Sequence, residues 1–301
     1  MKVDFSIIIL SYNTKDLTEK CLTSLFKIIS KNKAIRTEII VVDNASTDGT
    51  IENLKFQSRL NRDKNKNLRF RLILNKKNLG YPKGNNQALK IAKGKYILFL
   101  NSDVIIDDLD FEEIMSYLEN HPRIAVLTVK VKLSDGNIDP AAHRGFPTVW
   151  SSFCYFIGLE DLFKNVPFVN RIFGRYHLPH LNLREIHDID SPSGAFYLTK
   201  KDILKKVGGF DESFFMYGED LDLSFRIKKL GYKIVYYPRF EVLHLKSASG
   251  LEKKDPHTRL EARYHFFEAM EIFYKKHYEK KHNKLINNMI YFFIKVLKNI
   301  G

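Results

Sequence analysis

Four runs of apolar residues in the first third of the sequence constrain the fold more than any other feature. Between them lie polar stretches in which apolar residues recur at helical spacing, as at Leu17, Cys21 and Leu25. Near-continuous apolar strands that alternate with helices predict a mostly parallel sheet covered on both faces. The four predicted strands are FSIIIL (Phe5–Leu10), EIIVVD (Glu38–Asp43), LRFRLILN (Leu68–Asn75) and YILFL (Tyr96–Leu100).

The composition is that of a folded protein with an anionic partner. Of the 301 residues, 44% are hydrophobic and 28% are charged, which excludes a disordered chain. The formal net charge of +14 favours nucleic acid, a phosphate-bearing substrate or an acidic membrane face. Two cysteines predict a reducing compartment, and the first apolar run is interpreted as a core strand rather than a signal peptide.

Polar residues follow each of the four predicted strands. The carboxyl ends of parallel strands meet at one edge of a sheet, where open α/β folds bind ligands. Each group alone is also typical of an ordinary turn. Their recurrence at four strand ends instead predicts a shared ligand site, formed by Tyr12-Asn13, Asp43-Asn44, Asn75 with Asn78, and Asn101-Ser102-Asp103.

Asp103 raises a specific question, because a buried strand disfavours a carboxylate. Either it lies in a turn, or it is held at the strand end for chemistry. An Asp beside Asn and Ser suits a hard cation such as Mg²⁺ or Mn²⁺, whose other ligands a nucleoside diphosphate supplies. The stretch NLGYPKGNNQAL, with Gly80 and Gly84, lacks both the P-loop and the dinucleotide fingerprint.

A second polar group lies in the sequence FFMYGEDLDLSFR. Glu219, Asp220 and Asp222 occupy a predicted helix start, where acids also act as simple capping groups. After an aromatic run, a carboxylate in a partly dry cleft can serve as a general base. His244 follows the strand-like FEVLH, and its alternatives are a structural role or a metal or diphosphate contact.

In their order and spacing, these segments resemble the family 2 glycosyltransferases, enzymes with the GT-A fold. The resemblance runs from about Val3 to Ser249 and rests on SIIILSYN, EIIVVDNASTDGT, NLGYPKGNNQAL, ILFLNSDV, GAFYLT through LGY, and VLHLKSAS. HRGFPT (His143–Thr148) resembles an Arg-x-Phe-Pro-Thr element of rhamnosyltransferases that assemble cell-surface polysaccharides. The expected fold is therefore α/β of the GT-A type with a helical C-terminal extension.

The resemblance implies a role for each site residue. Asp220 is the expected catalytic base, and Asp103 with His244 is the expected site for Mg²⁺ or Mn²⁺, although Asn101 replaces the first acid of the family's Asp-x-Asp motif. Acceptor contacts or support are expected from Glu219, Asp222 and Arg144. The nucleotide-sugar donor is expected to bind Tyr12, Asn13, Asp43, Asn78, Gly80, Lys83, Asn101 and Ser102.

The implied reaction is an inverting transfer of a sugar, with rhamnose from dTDP-rhamnose as the expected donor. The acceptor is a hydroxyl of a glycan or lipid-linked glycan. A UDP-hexose donor such as UDP-galactose or UDP-glucose is the alternative. A nucleic-acid-binding protein and a nucleotidyltransferase are rivals from other classes, but the lysines are dispersed, no nucleic-acid reader motif is present, and no nucleic-acid partner is expected.

Two parts of the chain are expected, a GT-A domain over residues 1–250 and a basic amphipathic helical extension over residues 251–301. Aromatic residues and lysines in the extension favour an anionic membrane surface. Packing on the domain or on the partner in a homodimer is the alternative. The expected location is the cytoplasm, peripheral to the inner face of the cell membrane.

Overall fold

A mixed β-sheet with helices on both faces forms the centre of the molecule. The computed structural model describes residues 3–61, 67–246 and 256–299. Their nine strands are β1 (Phe5–Ser11), β2 (Thr37–Asp43), β3 (Leu68–Leu74), β4 (Tyr96–Asn101), β5 (Val104–Ile105), β6 (Ile124–Leu133), β7 (His187–Ile189), β8 (Phe196–Lys200) and β9 (Lys233–His244). The spatial order is β3-β2-β1-β4-β8-β6-β9-β5, with β7 also paired to β9.

The helices of the described residues cover this sheet and form the C-terminal part of the chain. Three short helices lie between β6 and β7. The helices are α1 (Lys15–Lys31), α2 (Thr50–Asn61), α3 (Tyr81–Ile91), α4 (Phe111–Asn120), α5 (Val149–Phe156), α6 (Leu159–Phe163), α7 (Asn170–Phe173), α8 (Lys201–Val207), α9 (Glu219–Lys229), α10 (Pro256–His277) and α11 (Lys284–Asn299).

The four strands predicted from the apolar runs are parallel neighbours, which confirms the α/β class. β1 pairs with β2 and β4, and β2 pairs with β3. β8 runs antiparallel to both β4 and β6, so the sheet is mixed beyond this point. β9 joins the two segments YKIVYYP and FEVLH into one strand. Its pairing with β6 shifts between Tyr237 and Glu241, where Pro238 interrupts the ladder.

Both faces of the central strands are buried, which explains why a strand such as β1 is apolar at most positions. On β1, Ile7 and Ile9 belong to one core cluster, whereas Ile8 belongs to the cluster on the opposite face. Successive strand residues point to opposite faces, so a strand covered on both sides needs apolar residues throughout.

The first C-terminal helix packs on the domain. A core cluster contains Phe273 and Tyr274 of α10 and Tyr278, which directly follows this helix. The same cluster includes Phe214 and Phe225 of the domain. Packing on the domain, the alternative to a membrane surface, therefore applies to α10. α11 differs, since several of its apolar side chains are exposed. Among the described residues, no helix is both long and apolar enough to cross a bilayer.

A buried carboxylate also ties α10 to α9. Asp222 is fully buried and accepts hydrogen bonds of 2.7 Å from Nε of Arg226 and from Nε2 of His277. Its Oδ1 also lies 2.7 Å from Nζ of Lys276. Asp222 therefore supports the contact between the two helices.

Candidate active site

A cavity of about 1080 Å³ lies at the carboxyl ends of the parallel strands and extends to the C-terminal helices. It brings together most of the residues that the sequence predicted to form a site. Four predicted residues, Asp43, Asn75, Lys83 and Asp222, do not line it. Those that do are Tyr12, Asn13, Asn44, Asn78, Gly80, Asn101, Ser102, Asp103, Arg144, Glu219, Asp220 and His244.

Asp43 and Lys83 lie outside the cavity wall for different reasons. Asp43 is fully buried, and Ser46 donates to it from both its backbone N–H, at 2.8 Å, and its hydroxyl, at 2.6 Å. Asp43 thus shapes the loop after β2, which in turn binds Asn13 through the hydroxyl of Ser46. Lys83 is exposed on α3. The predicted donor contacts of both residues stay predictions.

Side-chain amides join the strand ends beneath the cavity. Asn44 donates to Oδ1 of Asn78 at 3.1 Å and to the carbonyl of Gly80 at 3.2 Å, and it accepts from Asn75 at 2.8 Å. The stretch that contains Gly80 is therefore held to β2 and β3. At Gly80, φ is +82° and a Cβ atom would lie 2.4 Å from the carbonyl oxygen of Phe215, so only glycine fits this close approach.

Asp103 lies in the turn between β4 and β5, at 4% exposure, beside His244. The pairing of β5 with the end of β9 places Val104 opposite His244. As a result, Nε2 of His244 lies 3.2 Å from Oδ1 of Asp103, while its Nδ1 bonds Oδ2 of Asp139 at 2.8 Å. The question raised by Asp103 is thus answered: it is in a turn, and it is also held in the site.

The histidine and its partners are strongly coupled. Burial by itself lowers the pKa of His244, but Asp103 and Asp139 outweigh it and raise that pKa to about 9. Burial by itself raises the pKa of Asp139, but His244 and Lys246 outweigh it and lower that pKa to about 2. Asp139 is also fully buried, and it caps a short 3₁₀ helix by accepting from the N–H of Ala141.

The residues around Asp103 fit a divalent cation that takes few ligands from the protein. Within the described part of the chain, Oδ2 of Asp103 is buried without a hydrogen-bond partner, and the 3.2 Å contact of Nε2 of His244 with Oδ1 of Asp103 lacks hydrogen-bond geometry. In the described ranges, no cluster of three or more His, Cys, Asp and Glu side chains is arranged to hold a metal. A hard cation held by one carboxylate and a diphosphate needs no such cluster.

Asp220 lies at the start of α9, across the cavity from Asp103, and is clamped by Arg144. Nη2 of Arg144 donates to Oδ2 of Asp220 at 2.7 Å, and both side chains are nearly buried. Oδ1 of Asp220 accepts from the N–H of Leu221 at 2.7 Å. Burial lowers the pKa of Arg144, but Asp220 and Tyr176 outweigh it, so the guanidinium stays a cation.

Arg144 is positioned by the backbone as well. It forms an isolated β-bridge with Ser191, and its Nη2 also donates to the carbonyl of Pro192 at 3.1 Å. The hydroxyl of Ser191 donates to the carbonyl of Asp220 at 3.3 Å. The segment Ser191-Pro192 therefore fixes both Arg144 and Asp220.

Glu219 differs from its neighbour, because no cation of the described residues lies at hydrogen-bond distance from it. It is 6% exposed and lines the cavity, and its buried Oε2 has no hydrogen-bond partner within the same residues. Burial and the adjacent Asp220 raise the pKa of Glu219 well above its usual range. Both effects favour the neutral, protonated form of the Glu219 side chain.

Sequence reasoning missed two contributors to this site. Asp139 lies in the stretch DGNIDP, which reads as a turn, and it is 105 positions from the histidine it binds. The C-terminal helices also line the cavity, although the sequence pattern predicted only a membrane surface or packing on the domain or on a partner, with no part in the site. The periodicity of a helix shows that one face is apolar, but not what covers that face.

Comparison with known proteins agrees with this geometry. The family described as glycosyl transferase family 2 matches residues 6–177, and glycosyl transferase family group 2 matches residues 96–266. The chain is 28% identical over 235 residues to the N-acetylglucosaminyl-diphospho-decaprenol L-rhamnosyltransferase of Mycobacterium tuberculosis, which covers 74% of this chain and 71% of that protein. It is also 28% identical to rhamnosyltransferase WbbL of Escherichia coli, over 55% of this chain and 60% of the relative.

Solved structures show the same fold. The mannosyltransferase PcManGT of Pyrobaculum calidifontis, in complex with GDP-Man and Mn²⁺, superposes with a TM-score of 0.60 at 17% identity, over 94% of this chain and 66% of that one. Staphylococcus aureus TarS in complex with UDP-GlcNAc gives 0.54 at 20% identity, over 89% and 66%. The GT-A fold expected from the sequence is thus confirmed. The description of glycosyl transferase family 2 matches residues 6–177, which is more than half of the chain, so the chain belongs to this family.

Proposed function

We propose that this glycosyltransferase moves a sugar, with inversion, from a nucleotide donor to a hydroxyl of a lipid-linked glycan precursor, and that the donor is dTDP-rhamnose. The observation that carries the proposal is the Arg144–Asp220 pair facing the same cavity as Asp103 and His244. A positioned carboxylate and a site for an anionic leaving group are the two parts that direct displacement needs.

In the proposed reaction, Asp220 accepts the proton of the acceptor hydroxyl. Both of its oxygens already accept one hydrogen bond, and each carboxylate oxygen has a further lone pair for the substrate. The hydroxyl attacks the anomeric carbon as the bond to the nucleoside diphosphate breaks, which inverts the configuration. Tyr12, which is 46% exposed at the end of β1, is the proposed stacking surface for the base.

Asp103 and His244 are the residues proposed to hold Mg²⁺ or Mn²⁺, and His244 would give up the proton on its Nε2 when the cation binds. The cation would neutralise negative charge that develops on the leaving diphosphate. Asn101 and Ser102 line the same part of the cavity and offer hydrogen-bonding groups to the phosphates.

The sugar and the acceptor follow from the relatives. The Mycobacterium and Escherichia relatives are named rhamnosyltransferases, and the first name includes a sugar on a diphospho-decaprenol. We propose an acceptor of that class for this chain, with the enzyme acting at the cytoplasmic face of an anionic membrane. The lysine-bearing helix α11 with its exposed apolar residues supports this location.

The test is calorimetric binding of dTDP-rhamnose, UDP-galactose and UDP-glucose with Mg²⁺ or Mn²⁺, on the wild type and Asp103→Ala. We expect dTDP-rhamnose to bind in a metal-dependent manner and the substitution to abolish this. Lys77→Ala, on the exposed loop before α3, is the matched control. If only a UDP-hexose binds tightly, that nucleotide sugar is the donor instead of dTDP-rhamnose. If no nucleotide sugar binds, the proposal is overturned.

A further inference from the structure

One end of the cavity has a different chemical character from the end that holds the charged groups. There its wall is formed by α5 and the two C-terminal helices and is mostly apolar, although Ser152 of α5 and Thr258, Glu261 and His265 of α10 also line it. Its apolar residues are Val149, Phe153 and Phe156 of α5, Ala262, Phe266, Ala269, Met270 and Phe273 of α10, and Met289, Ile290, Phe293 and Ile294 of α11. We call this end the apolar chamber.

The chamber begins directly beside the carboxylates. Gly218 precedes Glu219, and a Cβ atom on it would lie 3.2 Å from Cβ of Ala269 on α10. Leu221, one residue after Asp220, is in the cavity wall and in the core cluster that joins α9 to α10. A ligand whose hydroxyl reaches Asp220 from this side therefore has its remaining atoms among apolar side chains.

The size of the cavity leaves room for a second substrate. Pockets for a single small ligand commonly have volumes of about 300–1,000 Å³. This cavity has about 1080 Å³, and its polar end alone contains the groups proposed for the donor. Two methionines in the wall, Met270 and Met289, adapt readily to a flexible hydrocarbon.

The chamber is open at its outer end. Phe153, Met289 and Phe293 line it and are 47%, 64% and 45% exposed, so they form its rim. Further exposed apolar side chains lie on the same helices, including Trp150 of α5 and Ile286 of α11. A long chain that enters the chamber can thus continue outward over an apolar surface, as a carrier lipid anchored in a bilayer has to do.

We propose that the apolar chamber binds the first part of the hydrocarbon chain of a lipid-linked acceptor, which brings the acceptor hydroxyl to Asp220. This inference rests on the proposed function and assigns a role in catalysis to the C-terminal helices. The rim supports this occupant rather than a second copy of the chain, because its exposed side chains continue inward into a cavity that ends at the catalytic carboxylates. A flat dimer contact needs no such depth.

The first test compares two acceptors that differ only in the lipid, N-acetylglucosamine linked through a diphosphate to a farnesyl or to a methyl group. For Phe293→Gln, we expect the ratio of kcat/KM for farnesyl over methyl acceptor to fall about tenfold. Phe292→Gln is the matched control, since Phe292 is 68% exposed on the same helix and does not line the cavity. Its ratio is expected to equal that of the wild type.

Each outcome of this comparison has a defined meaning. If the ratio of kcat/KM values in Phe293→Gln equals that of the wild type, the proposal that the chamber binds the hydrocarbon chain is overturned. An equal fall in both variants also overturns it, because the outer surface of α11 would then act on the lipid. Concentration-dependent activity together with dimer formation in sedimentation would instead identify a second copy as the occupant.

The second test does not depend on transfer, so it separates failure of the chamber from failure of the proposed function. A farnesyl diphosphate that carries a benzophenone is photocrosslinked to the full chain, and the modified peptides are mapped. We expect crosslinks on α5, α10 and α11 that unlabelled farnesyl diphosphate competes away. Crosslinks elsewhere overturn the chamber even if the enzyme transfers rhamnose. If crosslinks map to the chamber but the enzyme transfers no sugar from any donor, lipid binding in the chamber is confirmed and the proposed function is overturned.

Discussion

Nη2 of Arg144 donates a 2.7 Å hydrogen bond to Oδ2 of Asp220, although the two residues are 76 positions apart in the sequence. The pair is nearly buried, and the guanidinium also donates to the carbonyl of Pro192. Arginine suits this place because its planar fork reaches two acceptors from fixed directions. Arg144 is therefore a positioning residue for the carboxylate proposed as the base.

Arg144→Lys tests this positioning role. Lysine keeps the charge but loses the fork, so we expect kcat to fall about 10- to 100-fold. Donor affinity, measured by calorimetry, should stay within about twofold, because Arg144 faces the acceptor side of the proposed reaction. Arg239→Lys is the control, since Arg239 forms an exposed pair with Glu113. A loss of donor affinity equal to the loss in kcat would contradict a role through Asp220.

Asp139→Asn tests the support of the proposed metal site. The carboxylate of Asp139 fixes Nδ1 of His244 and leaves Nε2 beside Asp103. Loss of such a partner typically weakens metal binding about 10- to 100-fold. We expect this fall in the affinity of Mn²⁺ with dTDP, measured by calorimetry. Asp135→Asn, on the exposed turn before it, is the control. Equal affinities in both variants would refute the prediction.

Glu219→Gln tests the buried acid through its effect on stability. Burial and Asp220 raise the pKa of Glu219, so the folded state holds its proton more tightly than the unfolded state does. Unfolding then releases a proton above the unfolded pKa, and stability falls as the pH rises towards the folded pKa. Glutamine cannot ionise.

We therefore expect the melting temperature of the wild type to decrease between about pH 5 and 9 more steeply than that of Glu219→Gln. Scanning calorimetry at matched ionic strength provides the measurement. Glu112→Gln, an exposed acid on α4, should follow the wild type. Parallel curves for wild type and Glu219→Gln would show that Glu219 ionises as readily when folded.

Asp222→Asn tests the connection between the C-terminal helix α10 and α9. The substitution leaves Arg226 and His277 with an amide in place of a fully buried carboxylate. Breaking a buried ion pair in this way costs about 3–5 kcal/mol. Urea unfolding should show this loss, whereas Asp202→Asn, an exposed acid at the start of α8, should change stability by less than about 0.5 kcal/mol. A loss of activity without a loss of stability would restore Asp222 as an acceptor contact.

The three acids at the start of α9 show how far local sequence reasoning reaches. Asp220 and Asp222 are two positions apart, and residues at that spacing do not share a helix face. The structure places Asp220 in the cavity and Asp222 against α10. The sequence analysis nevertheless expected Asp222 to contact or support the acceptor, because the position of the C-terminal helices cannot be inferred from the local sequence.

Local pattern determined the four parallel strands, their carboxyl ends and the family. Continuous apolar runs specify strands buried on both faces, and parallel strands bring their carboxyl ends to one edge, so Asn13, Asn78 and Asp103 share a cavity. Only tertiary structure decided that Asp139 supports His244, that Arg144 clamps Asp220, and that α10 and α11 close an apolar chamber. These contacts join residues far apart in the chain, and a residue type alone does not record the distant partner that satisfies its charge or covers its apolar face.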